Sequence, residues 1–162
     1  MKPKVYVETT VIGYLTSWPS GDLVVAGRQK ITRDWWRSAP NTFELVVSEL
    51  VHRESNVGDP QAVHDRSEAL RGLPILSITQ EAEDLARALT TNKAIPFSEP
   101  EDALHVALAA TNGIEYLVTW NFKHIANATL RSKIEQVCVA AGYQPTTICT
   151  PEELLETFYE SP

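Results

Sequence analysis

The sequence predicts an α/β domain in three layers, α/β/α, built on a mainly parallel sheet of about five strands. Short apolar runs recur along the chain, nearly continuous in Val, Ile, Leu and Tyr, as strands buried on both faces require. Segments of helical periodicity lie between them, and strands alternating with helices give parallel neighbours joined by crossovers. Composition sets the scale: 162 residues, 43% hydrophobic and 22% charged, suit one ordinary globular domain. The expected extent is a single domain over 1–162, without repeat or linker.

The first strand is expected at 5–7 (Val-Tyr-Val) and the second at 43–47 (Phe-Glu-Leu-Val-Val), with a helical pattern at 28–37 between them. Helical patterns at 60–71 and 80–89 flank a third strand at 75–78. A helix at 102–110 runs to Gly113 and another at 130–141 to Gly142, since glycine takes the left-handed conformation that ends a helix. Between these two helices lies the fourth strand, 116–119, and a weaker fifth follows around 147–149. Thr150-Pro151-Glu152-Glu153 is a capping box with proline in its first turn, so a last short helix starts there. Ser98-Glu99-Pro100-Glu101 reads as a second capping box, ahead of 102–110.

The chain carries 14 basic and 21 acidic residues, a formal charge of −7. That balance excludes a protein that holds nucleic acid by bulk basicity. Cys138 and Cys149 have neither redox nor zinc-knuckle spacing and are expected to pack inside a protein of the reducing cytoplasm. After Met1-Lys2-Pro3-Lys4 only Val5, Tyr6 and Val7 precede Glu8, too short an apolar run for an export signal. No stretch approaches the ~18 apolar residues of a membrane span.

Function in an open parallel sheet gathers at the carboxyl ends of its strands. Glu8, Thr9 and Thr10 follow the first strand, Ser48, Glu49 and Glu54 the second, and Thr119, Trp120 and Asn121 the fourth. Asp102 opens the helix that leads into the fourth strand. Glu8, Glu54 and Asp102 would then converge with Asn121 on one edge of the sheet. Like charges so close are costly unless a cation neutralises them, and oxygen ligands suit Mg²⁺ or Mn²⁺ better than zinc or copper. Without the ion, repulsion and burial should raise the pKa of at least one of the three carboxyls. Asp102 stands out, because the capping box accounts for Glu101 and leaves an acid on a helix apolar nearly all round. Asn121 also reads as a turn residue, Glu54 as part of a wet helix face with Glu49 and Arg53, and His105 as a hydrogen-bonded core histidine. His52 and His124 are open between packing and ligation.

Val-Tyr-Val-Glu8-Thr-Thr resembles the opening Asp-Thr-Ser strand motif of PIN domains. Val-Val-Ser-Glu-Leu-Val-His-Arg-Glu54 looks like their second motif, Asp102-Ala-Leu-His-Val-Ala-Leu-Ala like the third, and Leu-Val-Thr-Trp-Asn121 like the fourth. The four come in order over nearly the whole chain, and the group they are most similar to is the VapC-type toxins of bacterial type II toxin–antitoxin systems. The resemblance implies a ribonuclease dependent on Mg²⁺ or Mn²⁺, commonly dimeric and held inactive by a small antitoxin protein. It implies Glu8 and Asp102 as direct metal ligands, with Glu54 and Asn121 acting through water or on the nucleophile. The hydroxyls of Thr10 and Thr119 would fix those ligands.

Two residues depart from the family pattern: Glu8 stands where aspartate is usual, and Asn121 where a fourth carboxylate is usual. One firmly held ion is therefore expected, and a second only weakly. The same departures favour an alternative, a catalytically weakened PIN-like module that binds RNA or a protein without cutting. Lys30, Arg33 and Arg37 share a helical stripe beside Trp35 and Trp36. They are expected either to grip an RNA backbone while an aromatic stacks on a base, or to form a solvated face.

Overall fold

A computed structural model describes residues 1–155; residues 156–162 of the expected domain lie outside the described ones. Strands β1 (Lys4–Val7), β2 (Glu44–Ser48), β3 (Ile75–Leu76), β4 (Tyr116–Val118) and β5 (Thr147–Cys149) form one sheet of order β3-β2-β1-β4-β5. Every neighbouring pair is parallel, so the α/β expectation with a parallel five-stranded sheet holds. In the central strand, Tyr6 stands opposite Val46 on one side and Leu117 on the other. Val5, Tyr6 and Val7 are consecutive and all fully buried, which only a sheet covered on both faces allows.

The covering helices are α1 (Thr9–Thr16), α2 (Leu23–Thr42), α3 (Glu49–Ser55), α4 (Pro60–Leu70), α5 (Gln80–Thr91), α6 (Pro100–Thr111), α7 (Ala128–Ala140) and α8 (Pro151–Leu154). One set gathers around α1, which packs on α2, α3 and α4; the other around α5, which packs on α6 and α7. From β1 the chain moves outward through β2 to β3, then returns past β1 to β4 and β5. The strand order thus reverses between β1 and β4, the point at which open α/β sheets offer a crevice beyond the carboxyl ends of their strands.

Several elements differ from the sequence expectation, each for a physical reason. Helix α1 was not expected, because Thr-Thr-Val-Ile-Gly is a poor helix former; it exists because Val11 and Ile12 are buried and Glu8 caps it. Helix α2 begins five residues before the expected 28, at an Asp22 cap that accepts from Val24 N and Val25 N. Its first turn carries the exposed Leu23 and Val24, which break the amphipathic pattern. Strand β3 is shorter than 75–78, and Ile75 is 52% exposed because it lies on the sheet edge. The capping box at Ser98 does not form: Pro100 takes the first helical position, making Glu99 the cap residue, without a side-chain cap bond.

Other expectations are met. Gly113 and Gly142 adopt φ of +64° and +91° beyond α6 and α7, and the Thr150–Glu153 capping box opens α8. Cys138 and Cys149 are free and buried; burial pushes their thiols up to about 11 and about 12, which leaves both neutral and inert. Among the described residues, no helix is long and apolar enough to cross a membrane.

Candidate active site

Glu8 leaves the end of β1 at the crevice and is only 3% exposed. As the cap of α1 its Oε2 accepts from Thr10 N at 3.0 Å, from the Thr10 hydroxyl, and from the Thr119 hydroxyl at 2.9 Å. These donors and the positive end of the helix offset the cost of burying the charge. Oε1 accepts no hydrogen bond among the described residues and stands 3.9 Å from His105 Nε2. Thr10 and Thr119, expected to fix the ligands, are thus the side chains that orient Glu8.

From Thr119 the network continues to α6. The Thr119 hydroxyl accepts from Asn121 N at 2.9 Å, and Asn121 Oδ1 accepts from His124 N at 3.0 Å. His124 Nδ1 lies 2.9 Å from Asp102 Oδ2. One unbroken path therefore joins Glu8, Thr119, Asn121, His124 and Asp102. Asn121 belongs to this path as a turn residue whose side-chain oxygen caps the next backbone amide.

Glu54 enters from α3. Its Oε1 accepts from the Thr9 hydroxyl and from His105 Nε2, both at 2.6 Å. His105 Nδ1 lies 2.7 Å from the Tyr6 hydroxyl, which is itself 2.7 Å from Ser48 Oγ. Burial pulls the His105 pKa down, but the bond to Glu54 and the fields of Glu8, Glu54 and Asp102 raise it on balance. A charged imidazole donates from both nitrogens, to Glu54 and to the Tyr6 oxygen, and Tyr6 then donates to Ser48. Burial likewise pushes the Glu54 carboxyl up, yet the bond and charge of His105, with Thr9 and Arg53, hold it below its ordinary range. At Glu54 the shift therefore runs opposite to the rise that repulsion was expected to cause: an imidazole whose pKa is raised stands where an acid-only reading left repulsion.

Glu99 was not read as a ligand and His124 was left open between packing and ligation, yet one ligand atom each from Glu99, Asp102 and His124 lie within 4.8 Å of one another. Glu99 stands three residues before Asp102 at the start of α6, and its place inside the expected Ser98–Glu101 capping box obscured that signal. Two carboxylates and an imidazole so close together, those of Glu99, Asp102 and His124, fit a divalent cation. The imidazole shifts the donor set from one made for Mg²⁺ toward first-row ions such as Mn²⁺.

The Lys30, Arg33 and Arg37 stripe lies on α2, where Lys30 Nζ is 2.6 Å and Arg37 3.9 Å from Asp34. Trp35 is fully buried, so it cannot stack on a base as the sequence pattern suggested.

Residues 5–128 match the family model described as the PIN domain. No curated protein matches the sequence. Solved structures share the fold, among them the following two. One is VapBC2 from Rickettsia felis bound to a DNA fragment from its promoter, with a TM-score of 0.57 at 13% identity over 91% of this chain and 98% of that chain. The other is Mycobacterium tuberculosis VapC20, a toxin that cleaves the sarcin-ricin loop, with a TM-score of 0.54 at 17% identity over 86% and 95%. At such identities the likeness is one of fold.

Proposed function

Because this chain belongs to the PIN domain family, we propose that it is a Mg²⁺- or Mn²⁺-dependent endoribonuclease, the toxin of a toxin–antitoxin pair. The observation that carries this reading is the single crevice at the β1–β4 reversal, where Glu8 and Asp102 share one hydrogen-bonded path and Glu8 and Glu54 flank one histidine. Support also comes from the two neighbours, one a VapBC assembly and one a toxin that cleaves the sarcin-ricin loop. A small antitoxin partner, a homodimer and a cytoplasmic setting belong to the same proposal.

In this reading Glu8 and Asp102 hold the ion, with Glu99 and His124 beside Asp102. When bound, a divalent cation polarises the scissile phosphate and acidifies water. Glu54, kept ionised by His105, orients the attacking water and accepts its proton. Asn121 holds the β4 turn and, through it, His124 and Asp102 in position. Thr10 and Thr119 prevent Glu8 from rotating out of the site. Lys30, Arg33 and Arg37 supply outlying phosphate contacts, weakened by Asp34 in their midst.

The test is cleavage of a structured RNA by the purified protein with Mn²⁺. Products should appear, and should vanish with EDTA and in Asp102→Asn. Asn121 favours a second reading, a module that binds without cutting, because it brings no charge and its side-chain oxygen is already bonded to His124 N. RNA binding with no products at any Mn²⁺ concentration would select that reading.

A further inference from the structure

We infer, resting on the ribonuclease reading above, that Arg28 stacked on Phe122 and Trp120 holds one nucleotide of a single RNA strand. The guanidinium takes a backbone phosphate, and the open ring of Phe122 takes the adjoining base.

The Arg28 guanidinium carbon lies 4.7 Å from the centroid of Phe122 and 5.7 Å from that of Trp120. Among the described residues its side chain makes no hydrogen bond and no ion pair. Arg37, Arg71 and Arg87 face carboxylates, and Arg66 and Arg131 donate to backbone carbonyls. Arg33 and Arg53 make no hydrogen bond or ion pair either, but among the described residues Arg28 alone of the arginines lies over aromatic rings. Arg28 therefore presents its N–H fork with nothing to accept from it, and phosphate is an acceptor that fork matches in a bidentate way. The rings hold the guanidinium in place, so little freedom is lost when a phosphate arrives.

The platform is built into the site. Trp120 N donates to the Thr10 hydroxyl at 2.9 Å, and Thr10 donates to Glu8. Trp120 Nε1 donates to the Thr32 hydroxyl at 2.8 Å, which in turn donates to the Arg28 carbonyl at 2.6 Å. Helix α2, the aromatic base and the acid are thereby fixed to one another. Trp120 is 6% exposed and Phe122 40%, so the first is the floor and the second the surface that a ligand meets. Phe122 also follows Asn121 directly in the chain.

A polyanion approaching Glu8, Glu54, Glu99 and Asp102 meets repulsion, and an unpaired cation beside a stacking face answers it. Aromatic stacking tolerates any base. An acidic protein segment would meet the guanidinium but leave Phe122 without a flat partner.

The experiment measures binding of a fluorescein-labelled single-stranded RNA to the full chain in EDTA, where the proposed cleavage cannot proceed, by anisotropy across a salt series. Arg28→Ala should weaken binding and reduce the slope of log affinity against log salt by ~0.7, one phosphate contact on a single strand. Arg28→Lys should restore the slope but not the full affinity. Phe122→Ala should weaken binding about tenfold with the slope unchanged. Arg87→Ala, which removes a charge paired with Asp84, should change neither. Melting curves establish that each variant is folded, and Arg28→Lys carries the test if Arg28→Ala is not. If the wild type binds and Arg28→Ala binds equally with the same slope, the platform assignment is overturned while Mn²⁺-dependent cleavage still stands as its own test. If Arg28→Ala keeps its RNA affinity but loses affinity for a poly-glutamate peptide, a protein partner occupies the platform and the assignment is again overturned. A wild type that neither binds nor cleaves RNA overturns both readings.

Discussion

His105 stands 2.6 Å from Glu54 and 3.9 Å from Glu8, and that placement decides how the acids respond to pH. The Glu54 pKa is depressed, so its contribution to stability is present above the ordinary 4.5 and lost as pH falls through the folded value. The His105 pKa is raised, so its contribution is present below the ordinary 6.5 and lost as pH rises through the folded value. In metal-free protein the pair acts at full strength between 4.5 and 6.5 and fades on either side. His105→Gln should therefore cost about 2 kcal/mol by urea unfolding inside that window. The difference from wild type should shrink toward ~pH 9 and toward ~pH 3; a constant difference across that range would remove the ionic account. Asn121→Asp keeps an acceptor for His124 N while adding a charge. The metal-free melting temperature should fall and recover with Mn²⁺, and calorimetry should show Mn²⁺ bound more tightly, on the order of tenfold. Equal affinity in both proteins would put Asn121 outside the ion's reach.

The caps give a contrast between elements that look alike in sequence. Thr79 accepts from Ala82 N at the start of α5, whereas Ser98 makes no cap bond to α6. Thr79→Ala should cost ~1 kcal/mol and Ser98→Ala less than ~0.5, read from urea midpoints at constant slope. Equal costs would show that Ser98 caps after all. The strands were legible because burial on both faces leaves Val5-Tyr6-Val7 and Leu45-Val46-Val47 continuously apolar. Helix α1 was not, since β-branched residues, Gly13 and short length hide a helix that tertiary packing imposes. Glu8, Glu54 and Asp102 could be singled out as candidates because a charge beside an apolar run is conspicuous. His124 stayed open and Arg28 was not read at all, because their partners are set by how β4 turns and how α2 crosses it, which no local spacing encodes.

For the whole molecule, a formal charge of −7 and a crevice rich in acids predict stabilisation by divalent cations. An ion at a hundredfold its Kd adds about 2.7 kcal/mol, and protons compete for the same oxygens. Mn²⁺ should therefore raise the melting temperature more at neutral than at acid pH, and more than Mg²⁺ does. Indifference to both ions at every pH would count against any metal in this crevice. The pairing of β1 with β4 has a further consequence, for the time at which the centre exists at all. Glu8 is made 111 residues ahead of Thr119, so the hydroxyl that orients it, and the strand that carries that hydroxyl, leave the ribosome much later. At roughly 5–20 residues per second, the growing chain spends several seconds or more holding Glu8 and Glu54 without the Thr119–Asn121–His124 path to Asp102. A chain that stops short of β4 therefore lacks the assembled centre, and under the ribonuclease proposal it is expected to cut no RNA until β4 closes against β1.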